Sequence, residues 1–126
     1  MLDCIIVGAG GAAGAVLRYL IGLIPLNRGG VFPVNTFLIN LIGSFVIGVI
    51  AALALGNDRL DPKLVLFLKT GICGGFTTFS SFALETGDLI GSGNTVTAVI
   101  YAVLSMVLGV LAVFAGEWTV KRCLLL

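Results

Sequence analysis

Apolar residues fill this chain in long blocks, and polar residues gather in the short gaps between them. Residues 4–27 carry one charge, Arg18, while residues 29–57 and 89–116 carry none. A helix of roughly 20 apolar residues crosses a bilayer, so the pattern predicts four membrane spans. Span 1 covers about 4–24 and stops before Pro25. Span 2 covers about 34–55, begins after Pro33 and ends before Gly56-Asn57-Asp58. Span 3 covers about 63–89, with Pro62 at its first turn. Span 4 covers about 95–120 and ends at Lys121-Arg122. The connections LNRGG, GNDRLD and GSGN are short and turn-rich.

The third span departs from the pattern. Its segment TGICGGFTTFSSFAL, residues 70–84, is too apolar for a soluble loop and too rich in Gly, Thr and Ser for an unbroken membrane helix. Irregular backbone at membrane depth persists only where protein buries it or where it lines a watery cavity. Transport proteins use such discontinuities as binding sites. A break near 71–78 is therefore predicted, and the chemistry of the chain is expected there.

Composition agrees with a membrane protein and narrows its class. Of 126 residues, 59% are apolar and 10% charged, whereas a soluble domain is about 25% charged. The start Met1-Leu2-Asp3 lacks the basic region of a secretory signal. A net charge of +1 implies no nucleic-acid surface. The absence of His removes the commonest metal ligand and the usual neutral-pH base. Cys4, Cys73 and Cys123 are far apart and form no Cys-x-x-Cys pair, so they read as small apolar fillers. No second domain fits, and residues 1–126 form one four-helix unit.

Four spans put both termini on one side. That side holds Arg59, Lys63, Lys121 and Arg122, with Lys69 nearby, and the other holds Arg28; the excess leans toward cytoplasmic termini. Gly10 and Gly14 in span 1, and Gly43 and Gly48 in span 2, are small residues of the kind that let helices approach closely in lipid. So thin a bundle has few surfaces to hide polar groups, and a homo-oligomer, most simply a two-fold dimer, is expected.

Several polar positions interrupt the apolar blocks. Gly8-x-Gly10-x-x-Ala13 mimics a dinucleotide fingerprint, but the next carboxylate after Asp3 is Asp58, so the acidic partner about 20 residues on is missing. Arg18 either snorkels to the nearer interface or draws anions toward a vestibule. Lys69 and Glu85, at the two ends of span 3, pose the same choice, with snorkelling the plainer reading. Thr36, Asn40 and Ser44 recur every four residues and share a helix face, either bonding a neighbouring helix or touching a permeant species. Tyr101 and Ser105 repeat that spacing before Gly109, as a hydroxyl track or as an interfacial Tyr and a Ser bonded to its own helix. At the break, Gly74 and Gly75 can adopt angles that free carbonyl oxygens for a cation. Phe79 and Phe82 share a face, and their electropositive ring edges suit a small anion. Core packing is the usual fate of Phe, and the flanking hydroxyls of Thr77, Thr78, Ser80 and Ser81 weigh against it here.

The stretch Gly71-x-Cys73-Gly74-Gly75-Phe76-Thr77-Thr78-Phe79-Ser80-Ser81-Phe82 resembles the third-helix signature of the Fluc (CrcB-type) fluoride channels. The Gly-rich first helix ending in Arg18-Tyr19, the run Asn35-Thr36-Phe37-Leu38-Ile39-Asn40-Leu41-Ile42-Gly43-Ser44-Phe45, and the four-span length of about 125 residues are similar too. The resemblance implies an all-α, antiparallel (dual-topology) homodimer with its third helix broken mid-membrane and two fluoride pores. It implies a central Na⁺ on the backbone carbonyls of Gly74 and Thr77. It assigns Phe79 and Phe82 to the pore walls, Asn40 to the pore-facing amide, and Thr36, Tyr101 and Ser105 to a polar track, with Ser81 among the hydroxyls beside the rings. Arg18 and Glu85 fall in the vestibules. Gly109 stands where many relatives have a further hydroxyl, which puts the outer end of the track in question.

The expected activity is passive, fluoride-selective export across a bacterial inner membrane, with fluoride, Na⁺, lipid and a second copy of the chain as partners and no enzymatic chemistry. Two rivals remain. A proton-coupled multidrug exporter needs a carboxylate deep in span 1, and none follows Asp3 there. A non-transporting assembly subunit explains the glycines but not the polar stripe at Thr36–Asn40.

Overall fold

The computed structural model describes residues 1–27, 29–56 and 60–124. Arg28 and Arg59, which enter the charge-based topology, and Asn57 and Asp58 of the predicted span 2 boundary lie outside the described residues. Among these the fold is all helical: α1 (Leu2–Gly22), α2 (Val34–Gly56), α3 (Pro62–Val65), a π-helical segment (Leu66–Cys73), α4 (Gly74–Phe76), α5 (Phe79–Gly91) and α6 (Thr95–Leu124). Four stretches, Leu2–Gly22, Val34–Gly56, Pro62–Gly91 and Thr95–Cys123, are long and apolar enough to cross a membrane, so the chain is a multi-pass membrane protein. The four predicted spans are all present. Span 4 runs past its predicted end at 120, because Lys121 and Arg122 continue the helix and suit its negative C-terminal dipole.

Local chemistry sets the ends. Asn35 Nδ2 donates to the carbonyls of Ile21 and Ile24 at 2.8 and 2.9 Å, so the start of α2 satisfies the orphan end of α1. Asp61 caps α3 through the Lys63 amide at 2.8 Å, with Pro62 just inside. Gly93, at φ +82, turns the chain after α5, where the Asn94 amide bonds the Leu89 carbonyl at 2.7 Å.

The third span is interrupted more briefly than predicted. Gly74 is helical, with φ −64 and ψ −38. Only Thr77 (ψ 155) and Thr78 (φ −148, ψ 117) are extended, and α5 restarts at Phe79. The expectation that the glycines themselves depart from the helix is thus corrected. Gly75 is small for packing instead: a Cβ there would lie 2.9 Å from the Gly11 Cα and closer still to the Gly11 carbonyl.

Backbone contacts organise the helices into two pairs. Gly10 and Gly14 of α1 run parallel to the third span; a Cβ on Gly10 would sit 2.6 Å from the Phe67 carbonyl and 2.9 Å from the Gly71 Cα. Parallel α2 and α6 meet at Gly48 against Val113 and at Gly116 against Phe45 and Val49. Small residues thus set both separations, as expected where lipid supplies no hydrophobic drive between helices. Gly43 joins the pairs by making room for the side chains of Phe76 and Thr77. A small core of Leu89, Ala98 and Tyr101, with Phe32, Phe37 and Phe82 against it, fills the end near the α5–α6 turn. Many of the remaining large apolar side chains face outward.

Candidate functional site

A cleft of about 330 Å³ opens where α2, the Thr77–Thr78 interruption, the start of α5 and the middle of α6 meet. Asn40, Ser44, Thr77, Thr78, Phe79, Phe82 and Ser105 line it, with Gly43, Ile47 and Met106. No charged residue is among them.

The interruption is held by side chains that replace lost helical bonds. Asn40 pairs with the Thr78 backbone twice: its Oδ1 accepts from the Thr78 amide at 2.8 Å, and its Nδ2 donates to the Thr78 carbonyl at 3.0 Å. In a continuous helix that amide would bond the Gly74 carbonyl four residues back. Thr78 Oγ1 accepts from the Ser81 amide at 3.2 Å, capping α5, and donates to Ser81 Oγ at 3.0 Å. The Ser81 amide is thereby taken from the Thr77 carbonyl. Thr77 turns both its amide and its hydroxyl onto the Cys73 carbonyl, at 3.0 and 2.8 Å.

Across the cleft, Ser105 Oγ is buried and has no hydrogen-bond partner. An unsatisfied buried hydroxyl costs about 1–3 kcal/mol, so a native protein keeps one where a ligand or water completes it. Phe79 and Phe82 stand side by side, ring centroids 5.6 Å apart. Phe82 continues the aromatic contact to Tyr101 at 5.1 Å, while Phe79 is 79% exposed. The wall therefore consists of neutral donors and aromatic rings, which suits several weak contacts to a small anion.

A second constellation borders the first. Glu85 accepts from Thr36 Oγ1 at 2.6 Å and from Tyr101 Oη at 2.7 Å. The carboxylate is thus anchored by two hydroxyls of its own chain, in charge-assisted bonds. Tyr101 is fully buried, and the Ser105 hydroxyl is not bonded to its own helix. Glu85 also faces a separate cleft of about 350 Å³ beside Asp88, Ser92 and Asn94.

Of the residues assigned from sequence, Asn40, Thr77, Phe79, Phe82 and Ser105 meet in the first cleft. Thr36, Tyr101 and Glu85 form the adjoining cluster, and Ser81 braces Thr78. Arg18 is half-buried on α1 and lines neither cleft, Gly74 lies exposed beside the interruption, and Lys69 is exposed on the π-helical segment. Cys73 is buried as a filler should be, but Cys4 and Cys123 are exposed. Ser44, a member of the four-residue stripe, also lines the first cleft, and its spacing is the signal that finds it. Ile47 and Met106 carried none, being apolar residues in apolar helices.

Against known families, the profile of the family described as CrcB-like protein, Camphor Resistance (CrcB) matches residues 5–117. The chain belongs to the CrcB family. Every CrcB residue discussed in the two clefts falls inside that match. A relative from Chlorobaculum tepidum is 46% identical over 121 residues, covering 96% of this chain and 96% of the relative. One from Rhizobium meliloti is 47% identical over 117 residues, covering 92% and 94%, and one from Azobacteroides pseudotrichonymphae is 44% identical over 112 residues, covering 88% and 90%. All three relatives are called fluoride-specific ion channel FluC.

Proposed function

We propose that this CrcB-family chain is a passive fluoride channel that lets fluoride leave the cytoplasm through a bacterial inner membrane. The observation that carries the reading is the orphan hydroxyl of Ser105, buried in an uncharged cleft walled by Phe79, Phe82 and Asn40. The names of relatives with near-complete coverage support it. Fluoride is small and strongly hydrated, and a path through lipid must replace that water. Ser105 and the Asn40 N–H not spent on Thr78 supply donors; the two rings supply weak positive potential. No single contact is strong, so an ion that enters also leaves. Thr36, Tyr101 and Glu85 continue the route beyond Phe82, with Ser81 as a brace, and Arg18 acts in the vestibule.

The working unit in this reading is an antiparallel homodimer with two pores, in which the interruption of the third span lies at mid-membrane. The exposure of Phe79, a wall residue left uncovered by its own chain, supports a second copy completing the site. A structural Na⁺ is proposed beside the interruption. The Thr78 and Ser81 amides, which in a continuous helix would bond the carbonyls of Gly74 and Thr77, go instead to Asn40 and to Thr78. When bound, the ion supplies positive potential beside the pores.

Purified protein in liposomes tests the function. Electrogenic fluoride efflux without a proton gradient is expected. Drug-dependent proton flux in its place would indicate the exporter, and no flux at all would indicate an assembly subunit.

A further inference from the structure

We infer that Asn40 is a positioning residue for the cation seat: its side chain captures the Thr78 amide and so keeps the Gly74 carbonyl free. The inference rests on the reading that Gly74 and Thr77 hold Na⁺, and gives Asn40 a task beyond donating to fluoride. A carboxamide presents one acceptor and one donor side by side, as a peptide group does. Asn40 uses both on one residue, at 2.8 and 3.0 Å, and substitutes for the missing helical turn. Thr78 is buried, 7% exposed, so its amide cannot turn to water. Without Asn40 that amide either stays unpaired or returns to the Gly74 carbonyl and rewinds the interruption. Rewinding is the cheaper outcome, because buried backbone donors are almost always paired, and it removes a cation ligand. The same logic does not reach the Thr77 carbonyl, which Thr78 Oγ1 frees independently.

The substitutions separate this task from anion contact. Asn40→Ala removes acceptor and donor, and Asn40→Ser is too short to reach the Thr78 amide. Asn40→Asp keeps the acceptor and puts a negative charge on the anion path. Fluoride efflux from proteoliposomes is measured against Na⁺ concentration, with K⁺ as the replacement ion. Asn40→Ala and Asn40→Ser are expected to raise the half-saturating Na⁺ about tenfold, equivalent to about 1.4 kcal/mol. Asn40→Asp is expected to lose flux while its residual flux keeps the wild-type Na⁺ requirement within about twofold, since the free-energy cost of a lost acceptor is not incurred. An unchanged Na⁺ requirement in the neutral variants overturns the inference, as does a tenfold rise in Asn40→Asp. Should neither neutral variant fold, solid-state NMR of the wild-type protein decides. A Gly74 carbonyl resonance that moves when Na⁺ replaces K⁺, with the Asn40–Thr78 contact intact, supports the inference; an unmoved resonance or an absent contact defeats it. Wild-type flux indifferent to Na⁺ would remove the cation reading itself, a result distinct from a Na⁺-dependent wild type with unshifted variants.

Discussion

Replacing Ser105 with Ala separates the cost of the site to the fold from its value to the ion. The Ser105 hydroxyl is buried without a partner. Deleting it removes no protein hydrogen bond and relieves a desolvation penalty of about 1–3 kcal/mol, less whatever water repays. The Oγ atom is small and borders an open cleft, so its loss adds little void. Stability of the variant should therefore equal or exceed that of wild type. A hydrogen bond to a charged partner contributes about 1.5–3 kcal/mol, and its loss lowers ion occupancy beside Phe82. Since about 1.4 kcal/mol is tenfold, fluoride flux per channel should fall by roughly one to two orders of magnitude. The assay is efflux from liposomes followed with a fluoride electrode, paired with thermal unfolding in detergent. Undiminished flux would take Ser105 off the route. A stability loss above about 1 kcal/mol would mean the hydroxyl has a partner in the folded protein, and the orphan argument would fail.

Further outcomes follow from the packing and the wall. Gly75→Ala drives a methyl into the Gly11 backbone, which no rotamer change relieves; a destabilisation of about 1–3 kcal/mol is expected in unfolding assays, whereas an unchanged midpoint would mean the third span lies farther from α1. Phe82→Ile keeps apolar bulk but removes the ring beside Phe79 and Tyr101; fluoride flux should drop while gel filtration gives the same profile as wild type, and wild-type flux would remove the rings from the mechanism. Asn35→Ala strips two donors from the end of α1 and should cost about 1–2 kcal/mol, with faster amide exchange at Leu23 and Ile24 as its local sign; unaltered exchange there would show that water replaces the cap.

What sequence alone determined is what local chemistry enforces. Long uncharged runs bounded by prolines and turn residues leave no soluble alternative, so the spans could be read directly. The helical repeat makes residues four apart share a face, so Thr36, Asn40, Ser44 and the pair Tyr101–Ser105 were legible as polar stripes. Their partners were not. Glu85 is held by residues 49 and 16 positions away, and nothing local to Glu85 distinguishes it from a snorkelling carboxylate. Gly74 and Gly75 are neighbours of one type, yet one faces open space and the other the Gly11 backbone; only the approach of α1 tells them apart. The site of the interruption likewise followed from tertiary structure. The glycines had the freedom to unwind, but the backbone opens at Thr77–Thr78, because Asn40, 38 residues away, offers the Thr78 peptide a better partner than its own helix does.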